Sequence, residues 1–110
     1  MTKARALKKR YVLFTYSGPE AGADALKRIL YAEALSFFGE LGLSHAALKL
    51  VSYDAAEKKG IVRCERDHLD EVLGFLALLS SLNGSPARIK AQKSSGTIKG
   101  LGAGSLGKKE

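Results

Sequence analysis

A chain of 110 residues with 45% hydrophobic content is long enough for one packed domain and too short for two ordinary ones. Its single cysteine, Cys64, excludes an intrachain disulfide framework and a CxxC metal pair. No apolar run approaches the roughly 20 residues that span a bilayer, and the basic N-terminus lacks the apolar core and cleavage site of a signal peptide. A soluble, cytoplasmic protein without membrane contact is expected. The net charge of +7 is unevenly placed: residues 1–10 carry +5, residues 86–110 carry +5, and residues 11–85 carry −3. Basicity confined to the ends points to a polyanion held by flanking segments, because lysines and arginines that displace phosphate counterions gain affinity. Net charge taken alone speaks only to solubility and non-specific binding.

In chain order, residues 1–9 (MTKARALKK) are polar and basic with no packing period, and are expected to form a flexible arm. Arg10 to Tyr16 (RYVLFTY) is rich in β-branched and aromatic residues and is bounded by Ser17-Gly18-Pro19, which predicts a first strand. Val12, Phe14 and Tyr16 alternate with Tyr11 and Leu13, so both faces are apolar and both need cover. One helix layer covers only one face; a terminal segment or a partner is expected on the other.

A long helix is predicted over Ala21 to Leu41, with Leu26, Ile29, Leu30, Phe37, Phe38 and Leu41 at spacings of three and four. Phe37 and Phe38 are expected in the core, and Gly42 as the left-handed stop. Ala47 to Tyr53 predicts a second strand, with Lys49, Val51 and Tyr53 on the face opposite Leu48 and Leu50. A polar connection, Asp54 to Lys59, leads to a third strand over Gly60 to Glu65. Asp67 is the expected N-cap of a second helix, with Asp70 and Glu71 complementing its dipole. That helix is expected to run to Leu82 and to end at Asn83-Gly84-Ser85-Pro86, with Gly84 past its last turn. A fourth strand is predicted over Ala87 to Lys93, with Ala87, Ile89 and Ala91 inward and Arg88, Lys90 and Gln92 outward.

The order βαββαβ is that of ferredoxin-like and RNA-recognition-like α+β sandwiches. The expected architecture is a four-stranded antiparallel sheet with two helices on one face and a short C-terminal extension. A single domain is expected over 10–101, with a short turn or helix near Ser94 to Leu101 and a flexible Gly/Lys tail over 102–110.

Reactive chemistry has little to stand on. His45 and His68 lie at no metal-ligand spacing, and Cys64 has no sequence partner. Glu65, Asp67, Asp70 and Glu71 form an acidic cluster that capping and a solvated helix start explain more simply than Mg²⁺. Ser94-Ser95-Gly96-Thr97 lacks the Walker pattern of a phosphate-binding loop. No catalytic residue and no metal site are expected.

RNA-recognition modules stack bases on aromatic residues of the third strand, in the pattern [K/R]-G-[F/Y]-[G/A]-[F/Y]-V-x-[F/Y]. The aligned run here is Lys59-Gly60-Ile61-Val62-Arg63-Cys64-Glu65-Arg66, so Ile61, Arg63 and Arg66 stand at all three aromatic positions. The open face is predicted to show Lys49, Val51, Tyr53, Ile61, Arg63, Arg88, Lys90 and Gln92. Such a surface suits phosphate contact or a protein interface, with shape and backbone recognition ahead of sequence readout.

RYVLF at 10–14, FFGELGLSHAALKLVSYD at 37–54, GIVRCERDHLDEV at 60–72, NGSPARIK at 83–90 and SGTIK at 95–99 together resemble the ribonuclease P protein component 2 family. This is the archaeal branch of the small-subunit family shared by ribonuclease P and ribonuclease MRP. The resemblance covers about residues 10–101; the C-terminal GAGSLGKKE matches no motif of the family. It implies a non-catalytic subunit of the endoribonuclease that removes the 5′ leader from precursor tRNA. Chemistry would reside in the RNA subunit, which uses Mg²⁺, with no cofactor in this chain. The implied partners are ribonuclease P RNA, the TIM-barrel-like protein component 3 and other ribonuclease P proteins, with precursor tRNA contacted indirectly.

Under the resemblance, Arg10, Arg63, Arg66, Arg88, Lys90, Lys93 and Lys99 are the expected RNA contacts, with Ser95, Gly96 and Thr97 shaping the adjoining turn and Lys8 and Lys9 auxiliary. Tyr11, Leu13, Val51 and Ile61 are the expected contacts for the protein partner. One face does not readily serve both, and the division between them stays open, as does a homodimer contact. A rival reading is a ferredoxin-like dimerisation or small-ligand-binding regulatory domain, in which the two-sided first strand is a homodimer face.

Overall fold

The computed structural model describes residues 8–82 and 84–102, with Leu82 described in its backbone alone. Residues 1–7 of the expected arm, Asn83, and the tail beyond Gly102 lie outside the described residues. The elements are β1 (Lys9–Ser17), α1 (Ala23–Ala46), β2 (Lys49–Asp54), β3 (Lys59–Glu65), a 3₁₀ turn (Arg66–His68), α2 (Leu69–Leu78), β4 (Ser81–Leu82), β5 (Ser85–Pro86), β6 (Arg88–Ser95) and a second 3₁₀ turn (Lys99–Leu101). Four strands make an antiparallel sheet in the order β2-β3-β1-β6, the expected α+β arrangement. β1 is central, starts one residue before the predicted Arg10, and pairs on both sides.

The core fills the space between sheet and helices. Val12, Phe14 and Tyr16 of β1, Val62 and Cys64 of β3, and Ile89 of β6 meet Leu26, Leu30 and Ala34 of α1 and Val72, Phe75 and Leu76 of α2. Period-2 alternation on the strands and 3.6-residue spacing on the helices bring these residues to a single layer. Burial pushes the Cys64 thiol up to about 11, with the Glu65 carboxylate adding to the rise and the Lys9 ammonium opposing it. Because the folded state holds this proton above the ordinary thiol range, stability is expected to fall as pH rises from about 9 to 11, by about 1.4 kcal/mol per pH unit. A Cys64→Ala chain should lose that contribution and keep only the fall that begins near pH 10 from the raised hydroxyls of Tyr16 and Tyr53. Native Cys64 should react with a thiol reagent at pH 8 only as fast as the chain opens. Fast labelling of the native chain would contradict its burial.

Several boundaries differ from the sequence expectation, each for a local reason. The first helix does not stop at Gly42. It kinks at Gly39, where φ is +78°, and continues to Ala46, with Ala47 in left-handed conformation as its cap. Glycine takes such a φ without the Cβ penalty, so the break falls there. The kink re-aims the last turns: Ala46 is buried and Leu43 packs against the core, whereas the predicted core residue Leu41 is 70% exposed. Phe38 packs against the core as expected, but Phe37 is 50% exposed and rests its ring on Phe75 at a centroid distance of 5.2 Å.

Asp67 is not the cap of α2. It sits in the 3₁₀ turn, and the cap position is His68, without a side-chain capping bond. Asp70 and Glu71 do occupy the first turn of α2, where Glu71 Oε1 accepts from the His68 Nδ1–H at 2.8 Å. α2 ends at Leu78, four residues before the predicted Leu82, because the next residue, Leu79, turns extended and goes into the core. Gly84 therefore does not close a helix. It takes a φ of +83° in the tight β4–β5 connection, and the Ala87 N–H closes that hairpin onto the Ser80 carbonyl. An Asn-Gly pair is a hairpin signal as well as a helix-stop signal, and the hairpin prevails here.

Two bulges alter which side chains share a face. Register shifts between Leu50 and Ser52 on β2, and between Leu13 and Phe14 against β6. One extra residue reverses the alternation beyond it. Tyr53 consequently leaves the predicted open face for the helix side, where it stacks with Phe14 at 6.3 Å and meets Tyr16 edge-on at 6.1 Å. Burial raises both hydroxyls above the ordinary phenol range, and Tyr16, Asp54 and Glu20 add to the rise at Tyr53. Gln92 is the bulged residue of β6, and its amide donates to Thr15 Oγ1 at 3.1 Å.

Candidate nucleic-acid interface

The face of the sheet turned away from the helices is built in rows, set by strand register. Lys49, Arg63, Tyr11 and Ser95 lie directly opposite one another across all four strands. The next row runs Ser52, Ile61, Leu13, Lys93, and the third Asp54, Lys59, Thr15, Lys90; Arg88 follows opposite Ser17. Cations thus flank an apolar centre.

That centre is covered by the chain itself. Ile61 and Leu101 are buried together, with Tyr11, Leu13, Val51 and Ile98 packed around them. Of the two covers expected for the second face of β1, a terminal segment is the one present. The structure corrects the partner assignment at Ile61, which is 0% exposed beneath Leu101 and offers no surface. Tyr11, Leu13 and Val51 are half-buried in the same cluster. Among the described residues, the large exposed apolar side chains are instead on the helix layer: Tyr31, Leu35, Phe37, Leu41 and Leu78.

Of the cationic candidates, Arg88, Lys90 and Lys93 are exposed on edge strand β6, and Arg63 is half-buried on β3. Arg66 is exposed in the 3₁₀ turn with its Nε 3.9 Å from Asp67 Oδ1, a weak exposed pair. Lys8 is exposed, and its carbonyl accepts from the Arg66 N–H, which ties the start of β1 to the end of β3. Lys9 is engaged in an ion pair with Glu65. Lys59, exposed at the head of β3, lay outside the strand predicted from residue 60 and so was missed as a face residue. Its spacing of two from Ile61 and four from Arg63 was the available signal.

Arg10 and the turn after β6 form one unit. A Cβ at Gly96 would lie 3.1 Å from Arg10 Nη1, so the guanidinium rests directly on that turn. Ser95 Oγ accepts from the Thr97 N–H at 3.2 Å, and Thr97 Oγ1 accepts from the Gly100 N–H at 3.0 Å. A Cβ at Gly100 would collide with Ser95 Oγ and displace the hydroxyl that holds the turn, so glycine suits the closure that brings Leu101 over the sheet. Ser95, Gly96 and Thr97 are thus structural parts of the turn that carries the cover.

The acidic cluster is dispersed among partners. Glu65 pairs with Lys9, Asp67 approaches Arg66, and Glu71 contacts His68. Among the described residues no group of three or more His, Cys, Asp or Glu is gathered as a metal site, and no helix is long and apolar enough to cross a membrane.

As a class, this is a ferredoxin-like α+β module with a cation-flanked sheet and no exposed aromatic row. The model of the Rpp14/Pop5 family matches residues 10–103, and the chain belongs to that family. Among its sequence relatives is Ribonuclease P protein component 2 of Pyrococcus furiosus, 39% identical over 95 residues, covering 86% of this chain and 79% of the relative. The protein of the same name from Methanosarcina barkeri is 31% identical, covering 84% of this chain and 67% of the relative. A chain in the cryo-EM structure of yeast ribonuclease MRP shares the fold, with a TM-score of 0.64 at 12% identity over 81% of this chain and 74% of that one.

Proposed function

We propose that this chain is a non-catalytic protein subunit of ribonuclease P, acting on the RNA that removes the 5′ leader from precursor tRNA. The observation that carries the reading is membership of the Rpp14/Pop5 family over nearly the whole domain, with relatives named as ribonuclease P protein component 2. The open sheet face supplies the chemistry: Lys49, Lys59, Arg88, Lys90 and Lys93 are all exposed around the covered centre. Cations placed on a rigid sheet offset phosphate repulsion as RNA helices pack, which lowers the Mg²⁺ that the RNA needs for folding and cleavage. Base stacking plays no part in this reading, because no aromatic residue stands at the third-strand stacking positions.

The protein partner, in this reading component 3, meets the helix layer, since the apolar residues of the sheet are already spent on Ile98 and Leu101. Exposed Phe37, Leu41 and Leu78 are the side chains there with apolar area to bury. The regulatory-domain alternative loses its motive, because the second face of β1 is covered within one chain.

The test is cleavage of precursor tRNA by the cognate RNA with component 3, titrated with Mg²⁺ in the presence and absence of this chain. Cleavage restored at a Mg²⁺ concentration where RNA and component 3 fail is the expected result. Unchanged activity from a folded chain that binds neither component 3 nor RNA would overturn the proposal.

A further inference from the structure

We infer that the end row of the open face holds one phosphate group, with Arg63 as its central ligand and Lys49 and Tyr11 beside it. The inference rests on the ribonuclease P reading and names a discrete site within it. Arg63 is flanked in register by Lys49 on β2 and Tyr11 on β1, with Ser95 beyond. Neighbouring strands lie about 4.8 Å apart, so the two flanking side chains start from one strand spacing on either side of Arg63.

The state of Arg63 singles it out from the other cations. Its Nε is buried, yet it has no hydrogen-bond partner among the described residues. Val62 and Cys64 on either side of it belong to the helix-side core, which places Arg63 by alternation on the same face as Ile61 and the Leu101 cover. The nearest carboxylate along its strand, Glu65, is taken by Lys9, and no ion pair is made by Arg63 or Lys49 among the described residues. The enclosed Nε fixes the side chain and is closed to an incoming anion, so the phosphate meets the remaining nitrogens of the half-buried guanidinium, which no carboxylate engages among the described residues. Phosphate offers several acceptor oxygens at once. It can take hydrogen bonds from the planar guanidinium fork, the Lys49 ammonium and the Tyr11 hydroxyl together, which a nucleobase edge does not match.

The site also separates two kinds of binding on one face. Lys90, Lys93 and Arg88, exposed on the edge strand, attract phosphates diffusely. Arg63 fixes one phosphate in place beside the Ile98–Leu101 cover, and so sets the register of the RNA on the sheet.

The experiment uses the full chain, the cognate RNA and inorganic phosphate. RNA affinity is measured across a salt series for the wild type, Arg63→Lys and Tyr11→Phe, and the Arg63 Nε–H resonance is followed by NMR during phosphate titration. Arg63→Lys keeps the charge and removes the planar guanidinium fork, so a loss of about tenfold in affinity with an unchanged salt slope is expected, as for a lost hydrogen bond to a charged group. Tyr11→Phe should lose several-fold in the same way. Movement of the Nε–H resonance by millimolar phosphate, with displacement of RNA, would identify a site for any phosphate; movement by RNA alone would identify a phosphodiester site. Arg63→Lys binding within twofold of wild type overturns the inference while leaving the ribonuclease P reading intact. Should the wild type bind no RNA, that reading fails, and an unmoved Nε–H resonance under phosphate removes the site too. A misfolded Arg63→Lys chain leaves Tyr11→Phe and the resonance of the wild type to decide.

Discussion

Replacing Phe14 by alanine is expected to lower the unfolding free energy by about 3–5 kcal/mol, the range for a large aromatic removed from a close-packed core. Phe14 is fully buried on the central strand, between β3 and β6, and stacks on Tyr53. Its ring also occupies the space that a side chain at Gly60 would take, so the gap left by alanine opens against backbone that has little room to collapse. For a domain with total stability of about 5–15 kcal/mol, that is a large fraction. Urea unfolding followed by circular dichroism measures it, with Phe37→Ala as the internal contrast. Phe37 is half-exposed and should cost distinctly less. Equal losses at the two positions would mean that the aromatic core is misassigned.

The second large effect concerns binding. On the ribonuclease P reading, Arg88→Glu with Lys90→Glu should weaken RNA affinity more than tenfold and make the dependence of log K on log salt shallower by about two. Both residues are exposed on edge strand β6, so the chain should keep its stability to within about 0.5 kcal/mol. The loss should be uniform across RNA sequences, because phosphate contacts carry no base information. A salt slope equal to that of the wild type would show that β6 does not touch phosphate. Together with Arg63→Lys, the pair separates diffuse attraction, which changes the slope, from a fixed contact, which changes affinity at constant slope.

Much of the fold was legible because the signals are local. The alternation of Val12, Phe14 and Tyr16 with Tyr11 and Leu13 is a period-2 pattern, and the Leu26-Leu30 spacing is a helical one. Both survive in the structure unchanged. The site was legible in part. Arg63, Arg88, Lys90 and Lys93 stand on the open face as alternation predicts or, for Lys93, through a bulge. Tyr53 was misplaced because the bulge at Val51 is a property of how β2 meets β3, and no residue pattern within β2 announces it. Leu41 and Phe37 carry the right hydrophobic period, but Gly39 breaks the helix axis between them and the period no longer reports a single face.

The sequence by itself determined the βαββαβ order of the four-stranded sheet and its two helices, the two-sided apolar character of β1, the absence of stacking aromatics on β3 and the family resemblance, but not the β4–β5 hairpin. These depend on residue type and near-neighbour spacing, which chain connectivity preserves. Only the tertiary structure decided what covers the second face of β1, because Leu101 meets Ile61 from forty residues along the chain. It alone also showed that Ile61 has no surface left for a partner, that Arg10 lies on the Gly96 turn, and that Arg63 Nε is buried without a mate. Each of these is a contact between distant segments, set by sheet register and by the tight closure of the Ser95–Gly100 turn. Burial and pairing of that kind are properties of the assembled fold.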